Sequence, residues 1–397
     1  MVKPAVNCFI KYNLYISTCF FVCCKQRYEP SVPSPIQGYL VVDGFLNNSS
    51  DSTILRLSRT TPLINDYYVD RVGELNAHIT VEDEPGNIVY TFVPSNNNGS
   101  YAVPGMNLGV NKKYRLRIKT MDGNEYLSDD ITVKSNPPID SIAWYRNDDG
   151  VTIAVNTHDP TNSTTYYRWE YTETWEYYTP YNSPFKFISG VNPGHFEIRD
   201  SGEFVNHCWK TVNSKELLLA SSVSLSQDII SRKKLKTIKA NSFELAYKYS
   251  IIVKQYALEQ EAFEYYVALK KNTEQSGTIF DPQPFTLSGN IHCLTNTEKP
   301  ALGYLTATNL QAKRIFIDNS EVSPWMDDLF CRPPFTVSRD SFDYFFNKVL
   351  YPGIAVGTGI EGVYDQYGEL IAMKSEYEIC ADCTVRGGIT QKPNFWP

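Results

Sequence analysis

The chain has 397 residues, a net charge of −7 and 14% aromatic side chains, among them 28 Tyr and 20 Phe. That length exceeds what one hydrophobic core usually serves, so two domains are expected. An acidic balance gives no attraction for nucleic acid and excludes that class, while 23 Pro and 22 Gly alongside the aromatics favour short strands and turns over helical bundles.

Lys3 and Lys11 precede an apolar run at 14–22 that ends in Cys23 and Cys24. The run is shorter than the about 20 apolar residues of a membrane-spanning helix, and it fits the charged and apolar regions of a secretory signal. A cysteine directly after such a run is the pattern of a lipobox. Residues 1–24 therefore read as a lipoprotein-type signal segment with Cys24 as the acylated residue. Cys24 is preferred to Cys23 because the small Cys23 then stands at the cleavage side, although Phe21, Val22 and Cys23 replace the usual Leu and Gly or Ala. The plainer alternatives are an ordinary cleaved signal or a buried strand. Since no other apolar stretch approaches membrane length, the mature chain is expected to be anchored and not spanning. Residues 25–37 are Pro-rich and polar, which suits a tether.

From Gly38 the pattern is strand and turn. Strands are expected at 39–42 and 53–57, then at 75–82, where Leu75, Ala77, Ile79 and Val81 alternate with Asn76, His78, Thr80 and Glu82. Residues 84–87 form a turn into a returning strand at 88–92. Residues 114–119 alternate apolar with basic, Asp122-Gly123 closes a hairpin onto Tyr126 and Leu127, and Ile131 and Val133 complete the set. Seven or eight short strands over 38–136 read as an immunoglobulin- or prealbumin-like β-sandwich. Asn136-Pro137-Pro138 then reads as a linker, since proline stops strand pairing.

Residues 137–397 read as a larger, aromatic-rich β domain with one or two helices. Strands at 139–145 and 151–155 lead through a self-capped loop at His158-Asp159-Pro160, for which cation binding through one Asp is the thinner alternative. The stretch 166–178, YYRWEYTETWEYY, sorts cleanly only at period two. One face carries Tyr167, Trp169, Tyr171, Glu173, Trp175 and Tyr177, which makes this a core strand with one carboxylate among its rings. The other face is polar, and Tyr166, Arg168, Glu170 and Tyr178 on it, with loops at 180–206, are the candidate ligand contacts. A glycosidase pair from this strand fits poorly. Glu170 and Glu176 share a face but stand roughly 20 Å apart, against the about 5–9.5 Å two such acids need, and Glu170 and Glu173 face opposite ways. Further on, a strand is expected at 243–258, a helix at 259–273, a short helix at 341–349 with Asp340 as its cap, and strands at 289–294, 302–307 and 313–317.

Export permits disulfides, and Cys208, Cys293, Cys331, Cys380 and Cys383 are the candidates, with one thiol left over and the connectivity open. Cys380 and Cys383 form a C-x-x-C, but no second pair completes a zinc site and no strand-to-helix setting makes it a thioredoxin motif. Neither a phosphate loop nor a hydrolase signature is visible, so no cofactor, metal or catalytic residue is expected.

Several ordered motifs carry a resemblance: Tyr39-Leu-Val-Val-Asp-Gly44, Thr157-His-Asp-Pro160, the 166–175 stretch, Lys254-Gln-Tyr256, Lys271-Asn-Thr-Glu274, Ile279-Phe-Asp-Pro-Gln-Pro284, Gly289-Asn-Ile-His-Cys293, and Cys380-Ala-Asp-Cys383 followed by Gly387-Gly388 and Lys392-Pro-Asn-Phe-Trp396. From about Tyr28 onward the chain resembles the Bacteroidetes lipoprotein family called domain of unknown function 4249. The resemblance implies a two-membrane cell envelope, an acylated cysteine and frequent pairing with a TonB-dependent outer-membrane transporter; it brings no catalytic residues. The expectation is a non-enzymatic outer-membrane lipoprotein, on either face of that membrane, acting as a ligand-capturing or lid-like accessory of such a transporter. The rivals are an envelope glycan or peptide hydrolase using Glu173 or His195, and a structural or adhesive surface module.

Overall fold

The computed structural model describes residues 38–61, 72–110, 112–274, 287–322, 331–351 and 358–397. The expected lipidation at Cys24 and the tether at 25–37 lie outside them. The architecture is mainly β, as the composition implies, and it begins with a sandwich.

In the first sandwich one sheet holds Leu40–Gly44, Thr53–Arg59 and Ser100–Val103, and the facing sheet holds His78–Asp83, Lys113–Lys119, Glu125–Ser128 and Ile131–Lys134. Alternation drives the packing. Tyr114, Leu116 and Ile118 point inward, while Arg117 turns outward to hold Glu82 (2.5 Å) and Glu125. The expected strand at 75–82 starts only at His78, and Leu75 is exposed. Three late strands complete these sheets: Ala301–Leu302 pairs with Leu40–Gly44, Ile291–Cys293 with Glu125–Ser128, and Ala307–Thr308 with Ile131–Lys134. The sequence leads one to expect strands at 289–294 and 302–307, but in the second domain; the second of these is two short strands, and all three belong to the first sandwich because their pairing partners lie far back in the chain.

A second sandwich follows. The sheet of Ile139–Asn147, Gly150–His158 and Ile229–Lys239 packs on a sheet built around Tyr166–Tyr178 and Lys248–Leu258, flanked by His207–Asn213, Leu218–Ser221 and Gln311–Asp318. Tyr167, Trp169, Tyr171, Trp175 and Tyr177 all enter the shared core, as period two requires. The strand expected at 243–258 is shorter. Phe243–Leu245 forms a 3₁₀ turn whose first amides are met by Ser242, and the strand starts at Lys248. The helix Gln260–Glu274 matches its expectation within a residue and buries Ala262 and Tyr266.

A third sheet combines His195–Ile198, Phe185–Ile188, Thr358–Tyr364, Leu370–Glu376 and Phe335–Ser338. Two of these strands lie inside 180–206, which composition alone makes a loop. Pro184 and Pro193 flank the strands and do not interrupt them, and Phe187 and Phe196 pack on Phe342 and Phe346. The helix expected at 341–349 is the single turn Phe342–Phe346; Asp340 caps nothing, because a 3₁₀ turn at Arg339–Ser341 precedes it.

The segment after the first sandwich is no loose linker. Asn136 and Pro137 are buried, and the Asn136 side chain donates to the carbonyls of Gln255 (2.6 Å) and Asn309 (3.0 Å). The Gln255 amide donates to Pro137 O (2.8 Å), Thr157 Oγ1 (3.1 Å) and Asn136 Oδ1 (3.2 Å), and its Oε1 accepts from Trp169 Nε1 (2.9 Å). Replacing Gln255 by Leu leaves Pro137 O, Asn136 Oδ1 and Trp169 Nε1 unmet, while Thr157 Oγ1 keeps its bond to Pro138 O; each orphaned group is worth about 1–3 kcal/mol. The expected result in urea unfolding is a loss of roughly 3 kcal/mol or more; a loss below about 0.5 kcal/mol, within the range of an ordinary surface change, counts against this network as the brace.

Candidate functional site

The polar face of Tyr166–Tyr178 is covered at both ends. Near its start the Arg168 guanidinium lies between the rings of Tyr256 (4.4 Å) and Tyr266 (4.7 Å) and pairs with Glu170 at 3.1 Å. The helix Gln260–Glu274 supplies Tyr266 and also Phe263, which packs on Tyr166 at 5.0 Å. Tyr256 donates to Glu170 at 2.9 Å, and burial first, then the Glu170 charge, raises the pKa of its hydroxyl. Tyr166, Arg168 and Glu170 are thus brought together as a packed seam.

Tyr178 stands apart at the other end. It stacks on His207 at 4.0 Å, and Glu176 beside it holds His207 (2.7 Å) and accepts from Trp396 Nε1 (3.1 Å). The covering element there is the C-terminal segment. Its C-x-x-C is divided between two disulfides, Cys208–Cys383 and Cys331–Cys380, and Cys293 is the buried free thiol among the described residues. Gly387 follows at φ 79°, the left-handed conformation in which glycine ends the turn Cys383–Arg386.

Glu173, on the core face, is 5% exposed. Its Oε2 is held by the Lys236 ammonium and by Tyr249 Oη at 2.8 Å, and Lys236 reaches Glu244 at 3.3 Å. Burial, then Glu173, pushes the Tyr249 hydroxyl well above the ordinary tyrosine range and does the same for Tyr171, so both are neutral hydrogen-bond donors. Glu173 and Lys236 form the floor of a cleft of about 440 Å³ where the edge strand Ile229–Lys239 faces the turn after His207–Asn213. Tyr171, Ser214, Lys215, Glu216 and Lys234 line it. Glu173 lines the cleft, and its Oε1 accepts no hydrogen bond from the described residues.

Hydrolysis of a glycosidic bond needs two carboxylates with the bond between them, whereas the Lys236 ammonium fills the space between Glu173 and Glu244. His195 is exposed on the third sheet beside Glu197 (3.4 Å) and does not line the cleft. Lys236, absent from the sequence-level candidates, shows itself only through the register that sets it against Glu173. A second cleft, of about 520 Å³, lies where the sandwiches meet and carries Asp129, Asp130, Glu259 and Glu261. No three His, Cys, Asp or Glu side chains among the described residues are placed to hold a metal. The His158–Pro160 loop is self-capped as its sequence suggests. Burial would raise the Asp159 pKa, but five hydrogen bonds from Thr161, Ser163 and Thr164 hold it well below the carboxylate range.

A family model described as a domain of unknown function, DUF4249, matches residues 25–314. No curated protein matches. Among solved structures the chain is similar to the chicken interferon gamma receptor alpha chain, at 12% identity over 56% of this chain and 90% of that one, with a TM-score of 0.16. It is also similar to the chitinase ChiA74 from Bacillus thuringiensis, at 12% identity and a TM-score of 0.15 over 47% of this chain. The chain spans 29% of that chitinase's length. Likeness at these scores carries no argument about activity.

Lys236→Met removes the counter-charge of a buried carboxylate, and breaking such a pair costs about 3–5 kcal/mol. Thermal or urea unfolding is expected to show that loss, and Glu173→Gln on the same chain to restore part of it by removing the orphaned charge; a double variant no more stable than Lys236→Met alone argues against the pairing. Peptide mapping without reductant is expected to recover the Cys208–Cys383 and Cys331–Cys380 cross-links. Their loops span 175 and 49 residues, so chain entropy sets upper stabilisations of about 5 and about 4 kcal/mol.

Proposed function

Since the chain belongs to the domain of unknown function 4249 family, we propose that it is an outer-membrane lipoprotein, anchored through Cys24, that captures a ligand for a TonB-dependent transporter without converting it. The observation that carries this reading is the Glu173 cleft. It presents a carboxylate, a neutral tyrosine and lysines on a double sheet, with the Lys236 ammonium standing between Glu173 and Glu244. Such a site has the polar convergence of a small-molecule pocket.

Two further features support the setting. Paired cysteines suit an oxidising compartment outside the cytosol. No helix of the described residues is long and apolar enough to cross a membrane; a lipid on Cys24 would supply attachment at about 0.8 kcal/mol per buried CH₂. The transporter is the expected partner because a captured solute must still pass the outer membrane.

The test is affinity purification of the native full-length protein from detergent-solubilised envelopes. Co-purification of a large β-barrel transporter is the expected result, with Cys24→Ser shifting the protein into the soluble fraction. Recovery as a lone soluble species, unchanged by Cys24→Ser, overturns the reading.

A further inference from the structure

We propose that the Glu173 cleft binds a sugar acid, a ligand that offers neighbouring hydroxyl groups to the floor and a carboxylate to the rim. This inference rests on the capture function and names the class of solute captured.

The floor sets the first requirement. Glu173 Oε1 is an acceptor with no hydrogen bond from the described residues, Tyr171 lines the same cleft with a neutral hydroxyl, and Lys236 has three N–H groups of which Glu173 and Glu244 take two. Donor, acceptor and donor therefore meet at the base of one cleft. Hydroxyl groups satisfy such a mixture, because each both donates and accepts. An amine does not, since a second cation at Glu173 would sit against the Lys236 ammonium. A compact anion is disfavoured there as well, because it would face the Glu173 carboxylate.

The rim sets the second requirement. Lys215 and Lys234 are exposed at the mouth, no carboxylate among the described residues pairs with either, and Glu216 lines the cleft with them. Two ammonium groups above a floor that wants hydroxyls select a ligand that is polyhydroxylated at one end and negative at the other. Tyr171 and Val212 supply apolar lining that suits the C–H faces of a pyranose. About 440 Å³ lies within the about 300–1,000 Å³ of small-molecule sites.

Isothermal titration of the full-length protein with D-glucuronate, D-glucose and L-glutamate tests this. Glucuronate is expected to bind at least about tenfold more tightly than either of the others, the worth of one charge-assisted contact. Lys215→Ala with Lys234→Ala is expected to remove that preference while leaving the melting temperature unchanged, since both side chains are exposed. Tyr171→Phe, which keeps the ring, is expected to weaken glucuronate and glucose alike. Glucose binding as tightly as glucuronate, glutamate binding more tightly, no glucuronate binding at millimolar concentration, or a lysine double variant that binds unchanged overturns the proposal. Glucuronate bound in the cleft of a protein that recruits no transporter removes only the accessory role. A transporter complex that ignores glucuronate removes only this ligand class.

Discussion

Gln255 is fully buried beneath Trp169, and its amide meets the chain where the first sandwich hands over to the second. Burying an amide is unfavourable unless every donor and acceptor is matched, and here the matching partners come from 136–137, 157 and 169, which distant parts of the sequence supply. Asn136 extends the lattice to Asn309, where the chain returns from the first sandwich to the second. Two crossings are thus tied by amides in a fixed register. A flexible hinge would leave these groups to water; buried, they hold the sandwiches in one relative position.

That brace lets one strand serve both of its faces. The aromatic face of Tyr166–Tyr178 fills the second core, while its polar face is roofed by Gln260–Glu274 at one end and by the C-terminal segment at the other. Arg168 between two tyrosine rings is the consequence. A guanidinium is weakly hydrated and stacks on aromatic faces, so it tolerates enclosure that would expel a lysine. Glu173 follows a different logic. Its place among rings is held by Lys236 and Tyr249, and because Lys236 lies on an edge strand, the group stays within reach of solvent.

What the sequence disclosed and what it hid follow from the range of the interactions. Period-two alternation is local, so the strands at 114–119 and 166–178, and the helix beginning at Gln260, could be read from side-chain order alone. Strands at 289–294 and 302–307 could be expected too, but not that they return to the first sandwich, because their partners lie more than 150 residues away. The Phe-rich strands within 180–206 were hidden by flanking prolines. The same limit governs the site. Glu173 stood out as a charge in an apolar row, but its partner is 63 residues away in sequence, in a run of lysines that otherwise looks like a solvated edge. Arg168, assigned to an open face, is enclosed because nothing local announces that a later helix will cover it.

The two disulfides explain why such a layout can remain rigid at its outer end. The third sheet has a small core of its own, centred on Val337, Phe342, Phe346 and Met373, and a core that small supplies limited stability by itself. Cys380 ties the C-terminal segment to Cys331 beside that sheet, and Cys383, three residues on, ties it to Cys208 on the second sandwich. One short turn therefore joins both bodies, and Tyr177 donates to the carbonyl of Cys383 at 2.7 Å, locking the turn to the central strand. The edge that Cys208 anchors runs on into Asn213 and the turn lining the Glu173 cleft. A cleft whose walls are fixed before the ligand arrives loses less conformational entropy on binding. The staples at the far end of the strand are therefore part of what shapes the cleft at its middle.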